Sequence, residues 1–284
     1  MITFIILNYK SLKDTKECIN SIKKIDNQEM IKIIVVDNAS MNEKEIEEVK
    51  DICDDFIYSE KNLGFAKGNN LGASYAIEKY HPDFLCVINS DIIINQKNFI
   101  NEIINLNKEY NFDVLGPKIL PLELDSRNPF PAYKEIEQVE QKIKYTKKII
   151  KIYKNPILRN LLNIYLSLKS KLIKKETKEI IEEERLNVPL HGCALIFSKK
   201  YYEKFNNVFY NETFLFHEEE FLYYRCKKNN LVSLYSPRIE LIHKEGQSLD
   251  KSFDKDYKKM IFRNEEILKS LLLLEKVMKE DLDI

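Results

Sequence analysis

The chain has no tryptophan, only six glycines and no two cysteines close enough to form a Cys-x-x-Cys clip. Neither sign of charge is in excess: 45 Lys and Arg balance 45 Asp and Glu, so no net field draws the protein to nucleic acid. The five cysteines (Cys18, Cys53, Cys86, Cys193, Cys226) are odd in number and scattered, which argues against a disulfide framework and for reduced thiols in a cytosolic compartment. Met1–Leu7 has no cationic lead, no apolar stretch of signal length and no cleavage site, so it does not read as a signal peptide. No apolar run reaches the length needed to cross a bilayer. What is present is a soluble-type composition over 284 residues, enough for one large domain with a substantial core.

The pivotal stretch is Leu85-Cys86-Val87-Ile88-Asn89-Ser90-Asp91-Ile92-Ile93-Ile94. An unbroken apolar run suits a strand covered on both faces, as in parallel α/β sheets. Ligands of such sheets bind beyond the carboxyl ends of the strands. A carboxylate there, beside an amide and a hydroxyl, is hard-oxygen chemistry suited to Mg²⁺ or Mn²⁺. An Asx turn closing a strand explains the tripeptide equally well when it is taken alone.

Around this stretch the pattern alternates. Strands are expected at Ile2–Leu7, Ile31–Val36 and Asp55–Ser59, with helices at Ser11–Ile22, Glu43–Val49, 69–80 and 96–109, and a short strand at 114–116. Alternation of this kind implies βαβ units and a mainly parallel sheet. Two strands then end in a carboxylate, Asp37 and Asp91, on one edge. Gly64, Gly68 and Gly72 follow the third strand at a spacing that is neither a dinucleotide fingerprint nor a P-loop. They are expected in a loop opening a helix at Gly68-Asn69, with backbone N–H groups and Lys67 available to an anion; a plain loop with glycine at positive φ is the alternative.

From Pro117 to Pro131 four prolines suggest a surface excursion. Between Gln141 and Lys175 there are eleven Lys and Arg and no Asp or Glu, with Ile150, Tyr153, Ile157, Leu161, Ile164, Leu168 and Leu172 at helical spacing. This predicts a basic amphipathic helix pair broken at Asn155-Pro156. Such a pair either lies on anionic lipid or packs as an insertion with a solvated lysine face. Acidic character returns at 176–185.

The core resumes at Val188–Ser198, with His191-Gly192 turning into a strand and a short helix at 199–205. Next, aromatic residues flank Glu218-Glu219-Glu220. On a helix these carboxylates spread over about 200°, so at least one should face a cleft, where burial and like charge raise its pKa into the range of a usable base. Acids favoured by a helix N-terminus are the alternative reading. Two more strands are expected at 232–235 and 239–242, the second ending at His243, and a last helix at 257–280. Imidazole beside carboxylate is a common pairing for a divalent metal.

In order along the chain, Val35-Val36-Asp37-Asn38-Ala39-Ser40, Asn62 to Gly72, Asn89-Ser90-Asp91, His191-Gly192-Cys193-Ala194, Phe214 to Arg225 and His243-Lys244-Glu245-Gly246-Gln247-Ser248 form a series. This series resembles family 2 glycosyltransferases of the GT-A fold, in particular the bacterial branch that includes rhamnosyltransferases of surface polysaccharide synthesis. The resemblance covers roughly residues 1–120 and 187–270.

It implies an α/β GT-A fold in a single catalytic domain over 1–284. The parts would be a nucleotide-sugar half (1–120), a basic helical insertion (121–186), an acceptor and catalytic part (187–255) and a C-terminal helix (256–284). It implies that Asp37 contacts the base or ribose of a UDP- or dTDP-sugar. Asn8, Asn62, Gly64, Lys67, Asn69, Asn70, Asn89, Ser90, His191 and Gly192 would line the donor site. Asp91 and His243 would hold Mn²⁺ or Mg²⁺. Glu219 aligns with the catalytic base, with Glu218 and Glu220 as alternates.

Two departures stand out: Asn89 replaces the first acid of the family's DxD motif, and Glu stands where the base is usually Asp. The activity implied is inverting transfer to a saccharide acceptor, carried on a membrane lipid if the basic helices lie on the inner leaflet. The other readings are a nucleotidyltransferase, which lacks its glycine- and arginine-rich loop after the first strand, and a membrane-surface binding protein with a degenerate site.

Overall fold

Alternation within β1 (Ile2–Asn8) sends Phe4 and Ile6 to one side of a sheet and Ile5 to the other. On the first side they meet Leu12, Cys18, Ile19 and Ile22 of α1 (Leu12–Ile22); on the second, Ala73 and Ala76 of α3 (Gly64–Tyr80). The computed structural model describes residues 1–40, 43–121, 128–172, 181–244 and 256–284. Its nine-stranded sheet has the order β3-β2-β1-β4-β8-β6-β9-β5, with β7 (Arg185–Leu186) paired to β9.

The longest ladders are parallel. β1 lies between β2 (Ile31–Asn38) and β4 (Phe84–Asn89), β2 is flanked by β3 (Asp55–Ser59), and β6 (Val114–Pro121) pairs with β9 (Ser233–His243). β8 (Ala194–Ser198) runs antiparallel between β4 and β6, and β5 (Ile92–Ile93) antiparallel against β9. The architecture is the curled, mainly parallel α/β sheet expected. α2 (Glu43–Lys50) and α4 (Phe99–Tyr110) cover the α1 side; α7 (Lys199–Lys204) and α8 (Glu218–Lys228) share the α3 side.

Three sequence expectations are corrected. The segment after Gly116 is not all excursion: β6 continues to Pro121 and pairs with β9, bringing Pro121 opposite His243. The two strands expected at 232–242 are one, because the register slips between Pro117 and Lys118 and absorbs the break around Pro237. The glycine stretch is not a loop but the first half of α3, which starts at Gly64. A Cβ at Gly68 would lie 2.5 Å from Leu7 Cδ1, and one at Gly72 2.6 Å from Ile5 Cγ2. The spacing is a close-packing stripe of helix on sheet.

The basic stretch forms two helices broken where proline dictates, α5 (Ile136–Lys154) and α6 (Pro156–Leu172). α5 buries Val139 and Ile143 against Leu271, Leu274 and Val277 of α9 (Asp256–Lys279) and Phe221 of α8. The C-terminal helix therefore docks on the chain's own body. Among the described residues no helix is long and apolar enough to cross a membrane. Residues 122–127, 173–180 and 245–255 lie outside the described residues, and with them Asp125-Ser126-Arg127, most of the acidic turn after α6 and Glu245-Gly246-Gln247-Ser248.

Candidate active site

Parallel pairing aligns the ends of β1, β2 and β4: Asn8 lies opposite Asp37, and Leu7 opposite Asn89. Asn8 Nδ2 donates to Asp37 Oδ1 at 2.6 Å and to Ser40 Oγ at 3.0 Å, and Asn8 Oδ1 accepts from Thr15 Oγ1 at 2.9 Å. Asp37 Oδ2 accepts from the Ser40 backbone N–H at 3.0 Å. Both side chains are fully buried. They tie the first two strand ends together at the edge of the sheet.

The N-terminus of α3 is likewise occupied. Asn38 Oδ1 accepts from the Leu63 N–H at 2.7 Å, Asn62 Oδ1 from the Gly64 N–H at 2.9 Å, and the Phe214 carbonyl from the Phe65 N–H at 2.7 Å. These are donors a helix start ordinarily leaves open, and here acceptors within the protein take them. Gly64 takes φ +81° and packs its α-carbon against Phe214, which only glycine permits. Asn70 is spent on a clamp: its Nδ2 donates to the Phe209 carbonyl at 3.0 Å and its Oδ1 accepts from the Phe209 N–H at 2.9 Å. Asn69 is buried, with Nδ2 donating to the Phe65 carbonyl and Oδ1 without a partner among the described residues. Of the residues expected on this loop, Lys67 is the exposed one.

Asn89, Ser90 and Asp91 form the turn between β4 and β5, with Asn89 and Ser90 half-buried and Asp91 buried. β5 pairs Ile92 with His243, and the Lys244 N–H donates to the Asp91 carbonyl at 3.1 Å. The side chains converge: His243 Nε2 lies 3.2 Å from Asp91 Oδ2, with both groups nine-tenths buried. His243 Nδ1 is buried and has no hydrogen-bond partner among the described residues.

Beside this pair runs the 190–193 turn. Its Cys193 carbonyl accepts from the Asn89 N–H at 2.8 Å, the His191 ring lies 6.3 Å from that of His243, and the Gly192 N–H donates to Glu219 Oε1 at 3.1 Å. A Cβ at Gly192 would sit 3.0 Å from that oxygen. The turn therefore joins the Asp91–His243 pair to the acidic helix.

α8 begins with all three acids in its first turn, where the helix dipole favours them. They separate cleanly. Glu219 is partly exposed and faces Gly192. Glu220 is buried with Oε1 2.9 Å from His217 Nδ1. Glu218 is buried, and desolvation, reinforced by the charge of Glu219, pushes its carboxyl up to about 8. The raised carboxyl is that of buried Glu218, whereas the residue aligned with the base is Glu219. Glu218 Oε1, Glu220 Oε2 and His217 Nε2 have no hydrogen-bond partner among the described residues. Phe216 and His217 both take positive φ, so the entry to α8 is held in a costly backbone state.

Sequence reasoning missed Asn128. Buried within the expected excursion, it donates from Nδ2 to the Pro117 carbonyl at 2.8 Å and accepts from the His191 N–H at 2.6 Å through Oδ1. It sets the 190–193 turn on β6, and nothing in the local pattern marks it. Lys244 was also missed. Its Nζ meets Asp14 at 2.7 Å and Glu17 at 2.6 Å, anchoring the end of β9 to α1.

No three His, Cys, Asp or Glu side chains among the described residues cluster to hold a metal alone. The donor set at Asp91 and His243 still suits one, since a carboxylate oxygen and an imidazole nitrogen meet at the rim and leave other coordination positions to a ligand.

Comparison with known proteins places this geometry. The chain is 30% identical over 126 residues to the low-salt glycan biosynthesis hexosyltransferase Agl10 of Haloferax volcanii, a match spanning 43% of this chain and 38% of that protein. Residues 1–349 of TarS from S. aureus superpose with a TM-score of 0.54 at 15% identity, over 88% of this chain and 62% of that one. The same fragment in complex with UDP gives 0.52, over 95% and 70%. The chain thus spans well under half of the curated relative and about three fifths of the first of these structures. The likeness to TarS is one of fold. The model of glycosyl transferase family 2 matches residues 3–205, most of the chain, and the protein belongs to that family.

Proposed function

We propose that this protein transfers a hexosyl unit from a UDP- or dTDP-sugar to a saccharide hydroxyl, with inversion at the anomeric carbon. The observation that carries the reading is the meeting of Asp91 and His243 next to a turn that holds Glu219. Family membership supports glycosyl transfer, the Agl10 name favours a hexose, and the UDP complex of TarS favours a uridine donor.

Asp91 and His243 would hold Mn²⁺ or Mg²⁺, which when bound neutralises charge on the leaving diphosphate. Asn89 and Ser90, half-buried at the end of β4, would line the donor side, and Lys67 is an exposed cation on α3. Glu219 keeps one oxygen on the Gly192 N–H and uses the other to take the proton from the acceptor hydroxyl. The Gly192 bond orients the carboxylate without quenching it. Glu218, whose carboxyl is pushed up to about 8 by burial and by the charge of Glu219, is the alternate base. Asn8 and Asp37 position the rim. The acceptor class is a saccharide of bacterial surface glycan synthesis, and the enzyme works from the cytoplasmic side.

The test is turnover of a panel of UDP- and dTDP-sugars with Mn²⁺, for wild type and Asp91→Ala. Metal-dependent release of nucleoside diphosphate, lost in the variant, is the expected result. No turnover of any donor by wild type, or wild-type turnover by the variant, would sink it.

A further inference from the structure

α6 stands out from the body with most of its described side chains exposed, Leu158, Tyr165 and Leu166 among them. Arg159 points into the body: its guanidinium lies 4.0 Å over the ring of Tyr257 on α9 and donates to the Tyr153 carbonyl at 3.3 Å. Ile157, Leu161, Ile164 and Leu168 are instead 73%, 59%, 59% and 57% exposed. At ~100° per residue these four fall within about 60° of arc, and Arg159 lies on the opposite side. A helix of a soluble domain turns such a stripe to the core. Its neighbour α5 does so, with Val139, Ile143 and Ile150 buried and Lys144, Lys147, Lys148 and Lys151 exposed on the other side.

We infer that α6 is a lipid-contacting element that seats this enzyme on an anionic membrane surface. The apolar stripe sinks below the headgroups, and the exposed lysines of α5 remain among them.

Charge decides between lipid and a second copy of the chain. The spacing 157, 161, 164, 168 would also serve a helix–helix seam. Such a seam needs opposite charges beside it, and residues 141–175 carry eleven cations with no acid on a chain of zero net charge. Two copies would face like charges; an anionic surface complements them. The stripe covers α6 from its first turn, and the helix spans about 25 Å, so it can only lie in the interface and not cross it. The inference rests on α6 and not on the transfer reaction, although a lipid-linked acceptor fits both.

The experiment is co-sedimentation of the full chain, without any sugar nucleotide, with vesicles of phosphatidylcholine alone or with about 30% phosphatidylglycerol. The chain should pellet with the anionic vesicles, stay in solution with the neutral ones and be released at about 0.5 M salt. Leu161→Glu with Ile164→Glu should lower the bound fraction roughly tenfold, with melting temperature and donor turnover in solution unchanged. Lys147→Glu with Lys148→Glu should weaken binding without touching the stripe.

Equal binding to neutral vesicles, no binding to either, or wild-type binding by the stripe variant overturns the inference. So does a dimer in analytical ultracentrifugation that the stripe variant dissociates, since a second copy would then cover α6. Turnover that survives while vesicle binding fails separates this inference from the proposed reaction.

Discussion

The two halves of the candidate site are built on opposite principles. On the side of β1, β2 and α3, most polar side chains satisfy one another, Asn69 Oδ1 being an exception: Asn8 with Asp37 and Thr15, Asn38 with Leu63, Asn62 with Gly64, Asn70 with Phe209. On the side of β9 and α8, buried polar atoms go without: His243 Nδ1, His217 Nε2, Glu218 Oε1 and Glu220 Oε2. Leaving such groups unpaired costs about 1–3 kcal/mol each, so a fold keeps them where a ligand or a proton will use them. The first half holds shape, and the second holds reactive potential. On that view substitutions in the second half should cost activity and those in the first should cost stability.

The sharpest break of the contrast is at Asp91. Asp91→Ala removes the carboxylate that His243 faces, and transfer should fall at least about 10³-fold with the fold retained. Manganese-dependent nucleotide affinity, measured by calorimetry, should go with it. Next comes Glu219→Gln, which keeps a hydrogen-bond acceptor for the Gly192 N–H and loses only the base. A fall of about 10²–10³-fold in kcat with donor KM unchanged is expected. If Glu218→Gln gives that signature instead, the base is its neighbour.

Glu218 also tests the comparison through pH. Its carboxyl is held at about 8 in the folded protein against 4.5 in the open chain. Below 4.5 both states are protonated and burial costs nothing. As pH rises toward 8 the unfolded chain ionises while the native state does not, so native stability drains away across that window. The total is of the order of a few kcal/mol. Glu218→Gln cannot ionise and should therefore grow more stable than wild type from pH 5 to pH 8 in urea denaturation. Parallel profiles for the two proteins would show that Glu218 is ionised in the fold.

The parallel half of the fold is legible because its physics is local. Strands buried on both faces, such as Ile2–Leu7 and Leu85–Ile88, read as unbroken apolar runs, and their polar ends declare the rim. The convergence of Asp91 with His243 is also legible, since each closes a run of that kind. What stays hidden depends on contacts distant in sequence. The register slip that makes β9 one strand is set by β6, more than a hundred residues earlier, and nothing around Pro237 shows it. Asn128 works only because the 190–193 turn folds back onto it. Gly68 and Gly72 look like a loop because glycine is scarce in helices. Their reason lies on Leu7 and Ile5 of a different element. At Asn70 the position matches a binding loop, while the amide is held in a clamp on Phe209 that lies far off in sequence.

That clamp gives the smallest effect and the cleanest control. Asn70 reaches across to segment 209–211 with both ends of its amide and is almost wholly buried. Asn70→Ala would strand the Phe209 N–H and carbonyl without partners, at about 1–3 kcal/mol of stability. The Phe214 carbonyl that caps α3 lies a few residues on, and α8 follows it, so the clamp steadies the approach to the acids without touching them. The expected variant melts earlier, yet at a temperature where it is fully folded it turns over donor within about twofold of wild type. A variant of unchanged stability with donor KM raised tenfold would return Asn70 to the donor pocket and erase the division between the two halves.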